Sequence, residues 1–513
     1  MPRVDHTVLA LLLAELFAIE GIAQAGTLDP SFHGDGMLTL GAMALEINYG
    51  TAVQQDGRIL AASYYGESSH NIHLRRLNFD GSLDSSFDND GLVVIDLGAQ
   101  LRVYSTLVQP DGKIVIAGSI YDDVNGQGLL LMRFNTDGTP DASFGDGDGM
   151  AVLYASSMWL PGVKVVIQHD GKLVVAGSWN SIMFLARFTS DGSLDDDFGT
   201  NGWTTYASTG NGYSVTGCAL QADGAIVLCG AVMEGGGSYE DMVVVRFTAN
   251  GTLDTTFDGD GIVSLPVSSS IDVAEDVLIQ PDGHILLSVA VVNGQDFDFG
   301  LVRLLPNGAL DPSFDSDGVV ITTWHPLYDS PSRMAMQPDG KILQSGTVHG
   351  EFAVARHNAD GSVDTSFGTS GLATADPSGG DWDRVRDMAL ASDGRIVVVG
   401  EAPAVGGGVG VARFLNDTDV GVPTTELEGF ARVLYPNPAS EHAILEYELP
   451  RAATLSCELL DDRGRKVKEI FTTRRSAGRH REMLVLNDLE AGTYTVLLNN
   501  SEGRSTSFRI VKE

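Results

Sequence analysis

The stretch NGTLDTTFDGDGIV, Asn250 to Val263, decides how this chain folds. It holds three aspartates, three glycines and a lone aromatic, Phe257. Acids at this density suit a cation loop, and glycines at this density suit a tight turn. Recurrence separates the two readings. GTLDPSF ends at Phe32, DGSLDSSF at Phe87, DGTPDASF at Phe144, DGSLDDDF at Phe198, NGALDPSF at Phe314 and DGSVDTSF at Phe367. With the opening stretch that makes seven copies, 53 to 59 residues apart.

Two further signals keep step with the first. A Q-x-D-G-like turn places an aspartate at 56, 111, 170, 223, 282, 339 and 393. An arginine closes each unit, at 76, 133, 187, 246, 303, 356 and 413. Repeats of this length mean stacked supersecondary units rather than one irregular core. Each unit reads as four short strands rich in Val, Ile and Leu. In the fifth these run Ile262–Pro266, Val273–Gln280, His284–Val291 and Phe299–Leu305. A lone four-stranded sheet cannot bury both faces, but sheets packed radially bury theirs against each other. The expected fold is therefore all-β, a seven-bladed β-propeller over 26–415. Met37–Leu40 either completes the last blade beside Val411–Phe414, or each unit is one self-contained blade. The units resemble the delta-60 repeat family over about Thr27 to Asn416, through D/N-G-x-L-D-x-S-F and Q-x-D-G-K-I. That resemblance implies a propeller and no chemistry.

Comparing the copies separates scaffold from variation. The aspartate three before each Phe (Asp29, Asp84, Asp141, Asp195, Asp254, Asp311, Asp364) and the Phe itself never change. A glycine follows four residues later in six copies and slips by one to Gly149 in the third. These are scaffold roles: a plug between blades, a side chain closing a turn, and a residue with positive φ. The D-x-D pairs after the Phe are less regular. Asp88/Asp90, Asp258/Asp260 and Asp315/Asp317 share one register, and Asp146/Asp148 is shifted. They are the candidate metal ligands, and calcium is the one cofactor the sequence leaves open. The loops lack the further ligands and the twelfth-position Glu of an EF-hand, so a solvated acidic turn is the plainer reading.

In an antiparallel blade the connections alternate between two rims. The Q-x-D-G turns and D-G-x-L-D-x-S-F links share one, and it is monotonous. The other rim carries TWHPLYDSPS, DPSGGDWDR, YASSMWLPG, SYYGESSHN and AVMEGGGSYED. A single site on a pseudo-symmetric ring must come from what breaks the symmetry, so the variable rim is the expected ligand face. Its candidate residues are Trp159, Trp179, Trp324, His325, Tyr328, Trp382, Tyr64 and Tyr65, with Asp122, Asp123, Asp296, Asp298, Asp381 and Asp383 among them. Flat rings beside carboxylates suit sugar stacking or a cationic partner. The same rings would equally cover the core where loops fold back. Trp203 falls outside these loops.

Net charge is −36, and it is uneven. Ala431–Glu513 carries 13 basic and 12 acidic residues, leaving 19 and 56 for the rest, a net of −37. Nucleic acid would be repelled. There are three cysteines, too few for a disulfide framework. A two-residue turn at Asp223-Gly224 would place Cys218 opposite Cys229, as a disulfide or as two packed thiols. HExxH, GxSxG, Walker and CxxC motifs are missing. Gly406–Gly410 reads as a flexible loop, and no catalytic residue is assigned.

The ends concern export. Residues 1–25 read as a signal peptide, with Arg3, an apolar Val8–Ile19 and Ala23-Gln24-Ala25 as the cleavage site before Gly26. No other segment approaches the length of a membrane helix. Residues 416–430 form a polar linker. From 431 to 513, alternating apolar segments and spaced turns suggest a small immunoglobulin-like β-sandwich of about seven strands. This segment resembles the type A sorting domain of the type IX secretion system. The matching pieces are Tyr435-Pro436-Asn437-Pro438, Asp461-Asp462-Arg463-Gly464 with Val467, Ala477-Gly478-Arg479-His480, Leu489 with Gly492-Thr493-Tyr494, and Val511-Lys512. The resemblance implies the type IX machinery as partner and an outer-surface or secreted destination in a didermal bacterium. The function expected is a binding module for a glycan, a protein or a surface. The alternative is a secreted polysaccharide-active hydrolase or lyase on the same scaffold.

Overall fold

The structure is a computed structural model. It describes residues 24–41, 46–65, 71–154, 160, 162–208, 210–233, 239–294, 296–380, 382–403, 408–416, 432–435, 442–449, 452–460, 466–487, 489, 492–500 and 505–512. Residues 1–23, which hold most of the expected signal peptide, and the expected linker apart from Asn416 lie outside the described residues. The chain divides into two compact units, Met1–Asp419 and Val420–Glu513. Among the described residues, no helix is long and apolar enough to cross a membrane.

The larger unit is seven four-stranded antiparallel sheets. Each is named here by its innermost strand: Glu46–Val53 in the first, Gln100–Val108 in the second, Val163–Ile167 in the third and Gly212–Leu220 in the fourth. Asp272–Ile279, Asp329–Met336 and Arg384–Leu390 lead the fifth, sixth and seventh. These strands touch one another in sequence, and the seventh touches the first, so the sheets form a closed ring. The core lies between sheets, in layers of Val, Ile, Leu and Ala that each draw on two neighbours.

Sheets and sequence repeats are out of step by one strand. The fifth repeat's first strand, Ile262–Leu265, pairs with Tyr239–Phe247 and so finishes the fourth sheet. Carried round the ring, this offset leaves the seventh sheet one strand short. Met37–Leu40 fills the place, pairing Met37 with Ala412 and Leu40 with Val409. Of the two arrangements the sequence left open, the structure adopts the interlocked one.

The opening stretch is a latch between sheets. In every copy the Phe is fully buried. The aspartate accepts the backbone N–H two residues on through one oxygen and the arginine Nε through the other, at 2.6–2.8 Å. The same guanidinium lies 4.4–4.8 Å over the Phe ring. The residue after each Phe donates its N–H to a carbonyl one repeat further on: His33 to Asp80, Asp88 to Asp137, round to Gly368 and Ala25. Glycine is required where the next repeat crosses that ring. A Cβ at Gly251 would lie 2.7 Å from Phe198, at a φ of +84°.

The cysteine reading is corrected. Gly217 faces Cys229 and Cys218 faces Leu228, because Leu220 pairs with Ile226 and the connection spans five residues rather than two. The thiols therefore point to opposite faces, and both are free. Burial pushes Cys218 up to about 12.

The smaller unit has two sheets. One orders Arg432–Tyr435, His442–Leu449 and Gly478–Val485; the other orders Lys466–Arg475, Ala453–Leu460, Gly492–Asn500 and Ser505–Lys512. Leu445, Tyr447, Leu455, Leu459, Leu484, Val496 and Leu498 meet in one core between them.

Candidate functional site

Ion pairs place both uniform connections on one rim. Arg58 of the first Q-x-D-G turn reaches Asp84 at 2.9 Å, and Lys113, Lys172, Lys341 and Arg395 repeat the contact with Asp141, Asp195, Asp364 and Asp29. Antiparallel pairing then sends the variable connections to the opposite rim.

On that rim, three loops of the fifth to seventh sheets bring His325, Tyr328, His349 and Trp382 together. The buried Asp329 carboxylate holds the first loop by accepting the N–H groups of Trp324 and His325, both at 2.9 Å. Tyr328 has a left-handed φ of 66° and donates its N–H to the Asp296 carboxylate. Its carbonyl receives the His349 N–H at 3.1 Å, and the Asp383 N–H reaches the Gly350 carbonyl at 2.8 Å. The Tyr328 and Trp382 rings meet edge to face with centroids 4.5 Å apart, and His325 and His349 lie 4.1 Å apart. Trp382 is 59% exposed and Tyr328 55%, values unusual for large aromatics with so many local contacts. Burial raises the Asp329 carboxyl, against the two N–H bonds, and the charges of Asp296 and Asp298 raise it further. Burial likewise pushes Asp383 up to about 6, although Ser378 bonds to it.

Among the described residues, the other sequence candidates do not join this patch. Trp324 turns inward against Phe299, Ala353 and Ala355, with its ring 6.4 Å from that of buried His357. Trp179 stacks on Trp203 at 5.6 Å and 14°, a partner the loop argument had set aside. Tyr64 is buried. Trp159 and Asp381 lie outside the described residues, as does the Tyr65 side chain. Asp122 is a hairpin anchor, held down to about 2 by the Tyr154 hydroxyl and the Asn125 N–H. Asp123 is exposed beside it. Asp298 accepts from Asn293. The described rings thus fall into separate groups.

The D-x-D residues are turn parts. Asp88, Asp258 and Asp315 occupy left-handed backbone, and Asp90, Asp260 and Asp317 each accept the N–H two residues on. Among the described residues no three His, Cys, Asp or Glu side chains converge as metal ligands. A surface groove of ≈ 380 Å³ lies between the outer strands of the fourth and fifth sheets, but its lining is mainly apolar (Leu265, Val267, Val319, Ile321).

A second constellation, at the ring axis, was missed by sequence reasoning. Six of the seven innermost strands carry a bulge at the same place. The extra residues are Tyr49, Tyr104, Thr216, Glu275, Ser332–Arg333 and Arg386. Bulges re-aim side chains, and they recur beside functional sites. The third sheet has no bulge and offers Lys164 instead. Arg333 lies 3.7 Å from both Asp276 and Asp387 and donates to the Glu275 carbonyl at 2.9 Å. Burial brings Lys164 down to about 8, and the nearby Arg333 charge adds to the effect.

Of the sorting-motif residues, Tyr435, Gly478, Gly492, Tyr494 and Lys512 lie on strands. Tyr494 packs against the tail's core. Pro436, Asn437, Pro438 and Gly464 lie outside the described residues.

Comparison with known proteins places these observations. A model described as a domain of unknown function (DUF5122) β-propeller matches at 54–87, 109–144, 168–198, 221–257, 280–314 and 337–367. A secretion system C-terminal sorting domain matches at 433–513. No curated protein matches. Among solved structures, PorZ of Porphyromonas gingivalis, a surface component of the type-IX secretion system, aligns at 12% identity and a TM-score of 0.39 over 90% of this chain. This chain spans 59% of PorZ. The polysaccharide lyase Uly1 aligns at 11% identity and a TM-score of 0.44, over 74% of this chain and 98% of its own. A PL25 ulvan lyase aligns at 9% and 0.45, over 73% and 95%.

Proposed function

Because the chain is a β-propeller built of DUF5122 repeats and ends in a secretion-system sorting domain, which marks it as a secreted or cell-surface protein handled by the type IX machinery, we propose that it is an extracellular glycan-binding module. The ligand face is the variable rim, and Tyr328 and Trp382 form its stacking surface, with His325 and His349 beside them. Trp179 and Trp324 are not part of that surface.

The observation carrying this reading is the exposed Tyr328–Trp382 pair. Exposed rings held in fixed positions suit stacking on a sugar face, and here both rings are positioned by backbone hydrogen bonds from three loops. Asp296 lies alongside, where a carboxylate can accept sugar hydroxyls. The polysaccharide-active alternative draws less support. The carboxyls raised above their ordinary range on this rim, Asp329 and Asp383, are 1% exposed and hold loop N–H groups. The test is a glycan array with the secreted protein, with and without calcium, repeated with Trp382→Ala. Saccharide binding that falls at least tenfold in the variant is expected. Binding unaffected by Trp382→Ala, or no saccharide binding at all, rejects the reading.

A further inference from the structure

Between Gly26 and Asn416 the chain has 18 Lys and Arg residues. Twelve form ion pairs with the seven repeat aspartates on the uniform rim. Six are left over: Arg75, Arg102, Lys164, Arg333, Arg384 and Arg386. Five of these six stand on innermost strands, around the axis. Against these 18 the same stretch has 49 acidic residues, a net of −31, and five of the six cations outside the latches stand at the axis. Scattered surface solvation would not produce that.

The group divides by what surrounds each cation. Arg333 is held between Asp276 and Asp387, and Arg386 pairs with Glu401 at 2.6 Å. Lys164 sits in the same charged group as Glu275, Asp276 and Asp387. Arg102 makes no ion pair among the described residues. Its guanidinium lies near the Tyr104 hydroxyl, which donates to the Leu160 carbonyl at 3.2 Å. Tyr104 meets the Tyr49 ring at 5.8 Å and 65°, and Tyr49 stacks on Tyr64 at 6.0 Å and 9°. The Arg386 guanidinium lies 4.7 Å from the centre of the Tyr49 ring. Tyr49, Arg102 and Arg386 remain half-buried, so water reaches them at the axis. Tyr49 and Arg386 are bulge residues, displaced from the ladder that would otherwise fix their direction.

We propose that the axis at the seventh, first and second sheets binds a uronate, a sugar bearing a carboxylate. Arg102 takes the carboxylate, since its fork matches two oxygens and no acid among the described residues pairs with it. The Tyr49 ring carries the sugar's C–H face. Arg386 adds a second positive group whose own charge is balanced by Glu401. A neutral sugar would leave Arg102 without its partner. This site is separate from the Tyr328–Trp382 patch and does not depend on it.

The experiment is calorimetric titration of the full secreted chain with oligomers of galacturonate, guluronate and glucuronate, each beside its methyl ester. Free monosaccharide uronates form a further arm, to separate a polymer chain from a single residue as the source. At least one acidic oligomer should bind, more weakly as salt rises. Its methyl ester should bind at least tenfold more weakly. Arg102→Gln should cost at least tenfold and Arg102→Lys less. Equal binding of acid and ester, full binding by a folded Arg102→Gln, or no binding by any acidic oligomer overturns the proposal. A loss with Trp382→Ala alone would move the ligand to the rim and overturn it as well.

Discussion

Arg413 and Asp29 lie 384 positions apart in the chain and 2.8 Å apart in the fold. The same Asp29 oxygen also receives Arg395 at 2.7 Å. The first repeat supplies the aspartate and the last supplies both cations, so this one latch joins the two ends of the ring. Arg413 is only 2% exposed. Asp29→Asn should therefore leave a buried charge without its partner and cost about 3–5 kcal/mol. Asp254→Asn, in a more exposed latch within the ring, should cost less. Urea unfolding of the two variants makes the comparison, and an equal loss would mean that closure carries no special weight.

Acid should unfold the propeller through these latches. Burial alone would raise the Asp29 carboxyl, but the Ser31 hydroxyl, the Arg413 charge and the Ser31 N–H hold it below the ordinary range. The other six repeat aspartates are lowered too. A depressed folded value means stability that is complete above the unfolded value near pH 4 and is lost as pH falls through the folded one. Circular dichroism should show a plateau in stability above about pH 5 from this source and a steep decline below about pH 4. A decline centred near pH 6 would contradict the assignment.

Asp383 should act in the opposite sense. Its folded value is raised to about 6, chiefly by burial. Its contribution is present below the unfolded value near 4 and diminishes as pH rises through 6. Asp383→Asn should remove that dependence between pH 4 and 7 and leave stability at pH 8 unchanged or higher. Thermal melts across this range, wild type beside variant, test the sign.

The Phe plug sets a scale for the repeat itself. Phe257→Ala should cost about 3–5 kcal/mol, the usual result of emptying a fully buried aromatic site. Gly251→Ala should also destabilise, because the new methyl would meet Phe198 and the backbone there is left-handed. If Gly251→Ala melts with the wild type, the crossing of repeat and ring is looser than described.

What the sequence showed and what it hid follow from how far each signal reaches. Asp254, Phe257 and Gly261 act within one turn and its neighbour, so their spacing exposed the scaffold directly. The one-strand offset was not legible, because a periodic chain looks the same wherever a unit is cut. The Cys218 register failed for a related reason: D-G suggests a two-residue turn, whereas Gln221 and Ala225 pair to close a longer one. Trp324 and Trp382 sit in similar loops, and which ring turns inward depends on Phe299 and Ala353 in other strands. The axial arginines were invisible because a bulge is a property of two strands, and no single stretch encodes it.

The central claim is a closed ring of interlocked repeats, which makes one rim uniform and leaves the other free for ligands. Amide hydrogen exchange on the secreted protein tests it most directly, at His33, Asp88, Gly145, Gly199, Asp258, Asp315 and Gly368, the N–H groups that cross between repeats. All seven should exchange at similarly slow rates, with His33 and Gly368 as protected as the five between them. Rapid exchange at His33 and Gly368 alone would describe an open arc, and the division of the rims would then have no structural basis.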